Sequence, residues 1–173
     1  MKRAQRFAAL VLALMFCALA LGGCSSKKGG GMQIYSAGNS KEIQSAAKKH
    51  FSGVSWTEAD PSGNLDEALK SVSDSTRHVV VISGDKSILN RERVPGKRYT
   101  FYVYDDGSGD ISISMLFCVG TTDNCVRQGN VVQGEMSFSN TLNVAADGVT
   151  DPAERAGYVF NVMYDALVRA EGK

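Results

Sequence analysis

The segment HVVVISG, residues 78–84, constrains the fold more than any other part of the chain. It is a continuous apolar run of strand length that ends at a glycine, and such runs are typical of strands with neighbours on both sides. Two strand-like segments precede it, MQIYSAG from Met32 and VSWTEA from Val54, and a helical pattern follows each of them. The order strand, helix, strand, helix, strand predicts an α/β domain with residues 78–84 as a central strand.

Both intervening helices begin with a capping signal. Asn39 with Glu42, and Asn64 with Glu67, have the spacing of a capping box. Apolar residues then recur at helical spacing, as Ile43, Ala46, Ala47 and Phe51 in the first helix and Leu65, Ala68, Leu69 and Val72 in the second. The pattern therefore predicts two short amphipathic helices.

The second half of the chain has a different pattern, with three β-rich segments: YTFYVY, ISISMLFCV and VVQGEMSF. From Ile111 to Val119 apolar residues largely alternate with polar ones, which is typical of an antiparallel sheet with one wet side. A final helix begins at Asp151 and Pro152, and its apolar stripe is Ala156, Val159, Phe160, Met163, Leu167 and Ala170. We expect a two-layer α/β (α+β) sandwich: a mixed sheet of about five or six strands with three helices.

The amino terminus has the composition of an export signal. Lys2, Arg3 and Arg6 precede fifteen residues, 7–21, that are apolar apart from Cys17, and no acid occurs before Glu42. An apolar run of this length with a basic start is a signal-peptide core and is too short to span a bilayer comfortably.

The residues that close this run, LGGC from Leu21 to Cys24, resemble the lipobox of bacterial prolipoproteins. The resemblance implies cleavage before Cys24, a diacylglyceryl thioether on its sulfur and an acylated new amino terminus. In a Gram-negative cell, Ser25 in place of the inner-membrane retention Asp implies the outer membrane, with the domain on its periplasmic face. The expected division is a signal peptide over residues 1–23, a lipidated cysteine with a flexible tether over 24–31, and one globular domain over 32–173.

Charge and cysteine content limit the partners. The chain has 19 basic and 18 acidic residues, three of the basic ones lie in the signal, and no basic stripe remains for a nucleic acid. After processing, Cys118 and Cys125 are the only thiols besides Cys24, and in an oxidising compartment we expect them to form a disulfide across a hairpin mouth. A redox pair and half of a zinc site are the alternatives, although six intervening residues are unusual for the first and no further ligand lies nearby for the second.

The stretch YDDGSGDISISM, residues 104–115, has the letters of a helix-loop-helix calcium site. Its first and twelfth positions, which need an acid and a bidentate Glu, are Tyr104 and Met115. The flanking segments are strands rather than helices. We therefore predict a hairpin turn, with a weak cation contact as a minor alternative, by Asp105, Asp106 and Asp110.

Other candidate chemistry is sparse. Ser83 and Lys86 match the S-x-x-K of penicillin-recognising serine enzymes, but the companion S-D-N and K-T-G motifs are absent. His50 and His78 have no His, Cys or acid at a metal-ligand spacing. We expect no catalytic residue, no metal site and no cofactor.

One basic cluster remains in the domain, NRERVPGKR, residues 90–98, followed by an aromatic strand. A possible docking patch for an acidic protein or an anionic glycan comprises Arg91, Arg93, Lys97, Arg98 and Tyr99, because Arg and Tyr are common interface anchors. The alternative is a solvated loop between strands. The sequence thus favours a non-catalytic envelope lipoprotein that acts through protein contacts in assembly. A binding module for a glycan or lipid, and a hydrolase with a spatially assembled site, are the alternatives.

Overall fold

The structure is a computed structural model that describes residues 31–38, 40–58, 65–118, 126–128 and 131–170. Within these ranges lie eight strands, three α-helices and one 3-10 helix. In chain order they are β1 (Met32–Ser36), α1 (Ser40–His50), β2 (Val54–Glu58), α2 (Leu65–Lys70), β3 (His78–Ser83), the 3-10 helix (Lys86–Asn90), β4 (Tyr99–Tyr104), β5 (Ile111–Cys118), β6 (Val126–Gln128), β7 (Val131–Gln133), β8 (Glu135–Leu142) and α3 (Pro152–Ala170).

Six strands form one mixed sheet in the order β2-β1-β3-β4-β5-β8, and β6 and β7 form a separate two-stranded sheet. Strands β2, β1, β3 and β4 are parallel, whereas β4, β5 and β8 are successively antiparallel. The apolar run of β3 pairs with β1 and β4, so both edges of that strand are used. The predicted fold class, with its central strand, mixed sheet and three helices, is confirmed.

The two longer helices cover one face of the sheet. Phe51, at the end of α1, contacts Phe160 of α3 edge to face, with ring centroids 5.8 Å apart. Alternate residues of the strands contribute to the same core, among them Ile34, Val80, Phe101 and Ile113. Because both helices bury their apolar stripes here, this face holds the main hydrophobic core.

The opposite face is covered only over the central strands. Short helix α2 and the 3-10 helix contribute Leu69 and Ile88, which form a smaller cluster with Val79, Val81 and Tyr102. Strands β5 and β8 carry serine and threonine on this side, so that part of the sheet is left more open.

Local structure follows the sequence signals closely, except for the unpredicted strand β6, the division between β7 and β8, and the 3-10 helix. Asp151 accepts a hydrogen bond from the backbone N–H of Glu154 at 2.9 Å, as expected for the first turn of α3. The segment VVQGEMSF is not one strand: Gly134, with φ of +82°, separates β7 from β8. The 3-10 helix was not predicted either, and it begins where Asp85 accepts from the N–H of Ser87. The expected caps Asn39 and Asn64 lie outside the described residues.

Candidate functional site

A crevice of about 390 Å³ lies at the carboxyl ends of the parallel strands. Open parallel sheets bind ligands at such a place, where successive connections leave on opposite sides. Here the connection from β1 leads to β2 on one side and that from β3 leads to β4 on the other, and Gly38, Ser83 and Asp105 line the crevice between them. The position therefore makes this crevice the first place to look for chemistry.

In the crevice, the side chains of Arg155 and Asp105 bind each other. Buried Arg155 of α3 donates from Nε to both carboxylate oxygens of Asp105, at 3.1 and 3.2 Å, and from Nη2 at 2.5 Å. Arg155 also donates to the carbonyl oxygens of Val149 and Gly109. The hydrogen bonds with Asp105 raise the pKa of Arg155. Because this guanidinium joins the loop after β4 to the start of α3, its role here is structural.

The loop that resembles a calcium site is a hairpin turn between β4 and β5. Asp106 accepts from the N–H of Ser108 and from the hydroxyl of Tyr104, and these bonds lower the pKa of Asp106 to about 2. Gly107, with φ of +79°, adopts the left-handed conformation that such a turn needs. Asp105 accepts from the N–H of Gly107 in addition to its bonds with Arg155. The loop is thus organised by its own hydrogen bonds and by Arg155.

The predicted docking patch is divided between the two faces of the sheet. Lys97 is only 4% exposed, and its ammonium donates to the carbonyl oxygens of Ser73 and Val72 at 2.7 and 3.5 Å. Arg93, with a side chain 7% exposed, pairs with Glu135 at 3.1 Å. Arg91 pairs with Asp66 just after the start of α2. These three cations therefore hold residues 91–97 against α2, the segment after it and β8.

The other two patch residues, Arg98 and Tyr99, face the opposite side of the sheet. The Arg98 guanidinium lies over the Tyr99 ring, 5.4 Å from its centroid, which is within cation–π range. Tyr99 is buried and stacks between His78 and Phe117. Both Arg98 and Tyr99 line a groove that the sequence did not indicate.

This groove, which we name the α3 groove, lies between the second half of α3 and strands β5 and β8 and has a volume of about 620 Å³. Small-molecule sites commonly have volumes of about 300–1,000 Å³ and mostly apolar walls. Its apolar lining comprises Tyr99, Phe117, Met136, Phe138, Val162 and Ala166. Met136 is 51% exposed, the one large hydrophobic residue that is open to solvent in the described part of the chain. Helix α3 packs closely on α1, and the groove is the space that remains between α3 and the outer strands β5 and β8.

Charged residues stand at one end of the α3 groove. Arg98 comes from the residue before β4, and Asp165 and Arg169 come from the last turns of α3. The Nε atom of Arg98 is buried and finds no hydrogen-bond partner among the residues that the structure describes. A buried donor without a partner is uncommon and costs free energy. The arrangement suits a ligand with a long apolar part and an anionic group near Arg98.

The other residues that the sequence offered for catalysis or metal binding have ordinary structural surroundings. Ser83 accepts from the N–H of Asp85 at 3.0 Å, and Lys86 begins the exposed 3-10 helix. The ring of His50 contacts those of Phe51 and Phe160. In the described ranges, no three His, Cys, Asp or Glu side chains converge as a metal site would require.

Two predicted covalent features are only partly within the described residues. Cys118 at the end of β5 is disulfide-bonded, but Cys125 lies outside these ranges, so its pairing with Cys118 stays a prediction. Cys24 and the whole signal also lie outside them. Of the helices that the structure does describe, none is both long and apolar enough to cross a membrane.

Apart from Arg98 and Tyr99, the residues of the α3 groove were missed by sequence reasoning, although one signal pointed to them. Met136 and Phe138 alternate with serines in β8, which predicts one apolar face for that strand. The sequence could not show that α3 leaves this face uncovered. No protein-family model, curated protein sequence or solved structure matches this chain. The geometry of the groove is therefore the feature that indicates a function.

Proposed function

We propose that this chain is a lipid-anchored protein of the cell envelope that acts by binding rather than by catalysis. The α3 groove is its binding site, and its ligand contributes a flexible apolar chain. The observation that carries the proposal is a preformed groove of about 620 Å³ with a mostly apolar lining, beside a solvent-exposed Met136. Preformed pockets of this size with mostly apolar walls are a common form of ligand site.

Two further observations support a binding role. The polar crevice at the carboxyl ends of the strands has its arginine and aspartate engaged with each other. The cations of the loop 91–97 are likewise engaged with Asp66, Glu135 and backbone carbonyls. The α3 groove is thus the place where apolar surface and a charged group remain available to a ligand.

Contact between a lipid chain and the groove can be measured by fluorescence. Trp56, the only tryptophan, lies on β2 at the far edge of the sheet, and Trp56→Phe removes its signal. In that background Phe138→Trp places an indole in the groove. We expect its fluorescence to be quenched when the full processed protein is reconstituted into phospholipid vesicles with brominated acyl chains.

The matched control uses the same strand. Ser139→Trp, in the Trp56→Phe background, places an indole on the opposite face of β8, one residue away and outside the groove. It should be quenched much less. Ala170→Phe narrows the groove at the end of α3 and should protect the Phe138→Trp indole. Equal quenching of the two reporters, or none at Phe138→Trp, would contradict a groove that takes an acyl chain.

A protein partner is the second candidate function, and the position of β8 favours it. This eight-residue strand lies at the edge of the described six-stranded sheet and contains no proline. An exposed edge can accept an extended segment of another protein as a further strand. If β8 docks an envelope protein, a crosslinked partner recovered from intact cells should be lost in Ser137→Lys and retained in Lys41→Gln, which lies on α1.

A further inference from the structure

We infer that the occupant of the α3 groove is the acyl chain of an anionic membrane lipid, with its headgroup at Arg98 and Arg169. This inference rests on the proposed function, since it specifies the ligand of the same groove. It combines two independent observations: where the chain enters the sheet, and where the charges of the groove lie.

The groove opens at the end of the sheet where the domain begins. One row of paired residues crosses the sheet, from Met32 through His78, Tyr99 and Phe117 to Met136. Met32 is the first strand residue, and the last three residues of the row line the groove. Neighbouring strands lie about 4.8 Å apart, so the first and last members of the row are separated by roughly 19 Å.

The entry point of the chain is fixed. Gly31 accepts hydrogen bonds from the N–H groups of Arg77 and His78, at 2.8 and 3.3 Å. Its φ is +73°, and a Cβ added there would lie 2.6 Å from the carbonyl oxygen of Ser75. Any residue other than glycine would be strained at this point. The segment that leads to Cys24 therefore leaves the domain at a defined place.

The expected anchor keeps this end of the domain at the membrane. Residues 24–30 span at most about 25 Å when fully extended. If Cys24 carries lipid, the entry point of the chain stays within that distance of the bilayer, and the mouth of the groove lies at the same end of the sheet. A membrane lipid is thus the apolar chain nearest to the groove.

The charges at the groove favour an anionic headgroup. Arg98 and Arg169 face one carboxylate, Asp165, so the charged end of the groove is net positive. Arginine binds phosphate with two parallel N–H donors, and the buried Nε of Arg98 is one donor that a phosphate oxygen could accept from. A zwitterionic lipid such as phosphatidylcholine also offers a phosphate, but its own cation compensates that charge, so the net positive charge of the groove favours an anionic headgroup.

The preference for an anionic lipid can be measured without a change in surface charge. The full processed protein with Phe138→Trp and Trp56→Phe is reconstituted into vesicles of equal parts phosphatidylglycerol and phosphatidylcholine. Bromine is placed on the acyl chains of only one of the two lipids. We expect brominated phosphatidylglycerol to be favoured in the groove by roughly fivefold. The two arginines and Asp165 give the charged end a net charge of one, and the attraction of one basic residue to an anionic lipid corresponds to a ratio of about this size.

Variants of the charged end of the groove show whether the groove itself, rather than the whole protein surface, prefers the anionic lipid. Arg98→Gln with Arg169→Gln should bring the ratio of quenching by the two lipids near one, while total quenching persists. Arg169→Gln alone, on the exposed last turn of α3, should lower the ratio without endangering the fold. Asp165→Asn should raise it. The matched control, Arg77→Gln with Lys48→Gln, removes two exposed cations outside the groove and should leave the ratio unchanged.

The outcomes separate the two proposals. Equal quenching by both lipids in the parent reporter protein would overturn the anionic lipid and leave the groove as an acyl-chain site. An equal loss of preference in the groove variants and the control would also overturn it, because attraction to the whole surface would then explain the ratio. No quenching from either lipid would contradict the proposed function itself.

Discussion

Asp105→Asn tests how the end of the fold near the hairpin is held together. The guanidinium of Arg155 donates to Asp105 and to the carbonyl oxygens of Gly109 and Val149, at 2.7 and 3.1 Å, and its side chain is 4% exposed. It therefore joins the β4–β5 hairpin to the segment before α3. The asparagine keeps the shape of the aspartate but removes the charge that compensates the buried cation.

The expected cost follows from this burial. Removal of one partner of a buried ion pair costs roughly 3–5 kcal/mol, because the remaining charge is uncompensated. Asp105 is 19% exposed, so water screens part of the interaction, and Arg155 keeps its two carbonyl acceptors. We therefore expect the free energy of unfolding to decrease by about 2–3 kcal/mol. For a domain of this size the melting temperature should decrease by roughly 7–10 °C.

Urea unfolding, followed by the fluorescence of Trp56, measures this change, and circular dichroism gives the melting temperature. The matched control is Asp106→Asn, because Asp106 is exposed and its hydrogen bonds are local to the loop. It should lower the free energy of unfolding far less than Asp105→Asn does. Arg155→Met completes a double-mutant cycle, in which the double variant should be less destabilised than the sum by about 1–3 kcal/mol. Strict additivity, or equal effects of the two asparagine variants, would refute a buried ion pair that stabilises the fold.

Three further predictions concern other parts of the chain. Burial raises the pKa of Tyr102 to about 12, so its neutral form stabilises the fold fully below pH 10, and this contribution is lost as the pH rises through 12. Tyr102→Phe should flatten the pH dependence of the unfolding free energy between pH 10 and 12, and should cost about 1 kcal/mol at pH 7 through loss of its hydrogen bond. Thiol labelling of the unfolded, unreduced protein should find neither Cys118 nor Cys125 free, and labelling of both would contradict the disulfide. Cys118→Ser should lower the unfolding free energy by roughly 2–3 kcal/mol. Cys24→Ser should release the protein from the membrane fraction. Because an uncleaved signal would also retain the protein, a second variant carries the same substitution behind a cleavable non-lipoprotein signal. Membrane retention of that second variant would contradict the anchor.

Much of the fold could be predicted because its signals are local. A continuous apolar run indicated the central strand β3, and alternation of apolar and polar residues indicated the half-covered strand β5. Asp151 marked the start of α3 through a hydrogen bond that spans only three residues. The turn at residues 105–110 was likewise recognisable, because its bonds join residues two positions apart.

The direction of charged side chains was much harder to predict. The basic residues of one short segment were expected to form one patch. The structure instead pairs Arg93 with a residue 42 positions away and Lys97 with one 24 positions away. Arg98 lies on the other face of the sheet. Nothing in the sequence indicated that Arg155, the residue before the apolar stripe of α3, would be buried. Its partner Asp105 lies 50 residues away along the chain. Such pairs depend on strand order, which no local pattern encodes.

The sequence by itself predicted an export signal with a lipidated cysteine, and it determined most of the order of helices and strands and the faces that they bury, because these depend on residue type and on periods of two or 3.6 residues. Only the tertiary structure decided which cations turn inward and where apolar surface stays open. The α3 groove lies between α3 and the outer strands β5 and β8, where Met136 stays exposed and Phe138 is only partly buried. How closely a helix covers a sheet depends on the packed layers, and it has no counterpart in the order of residues along the chain.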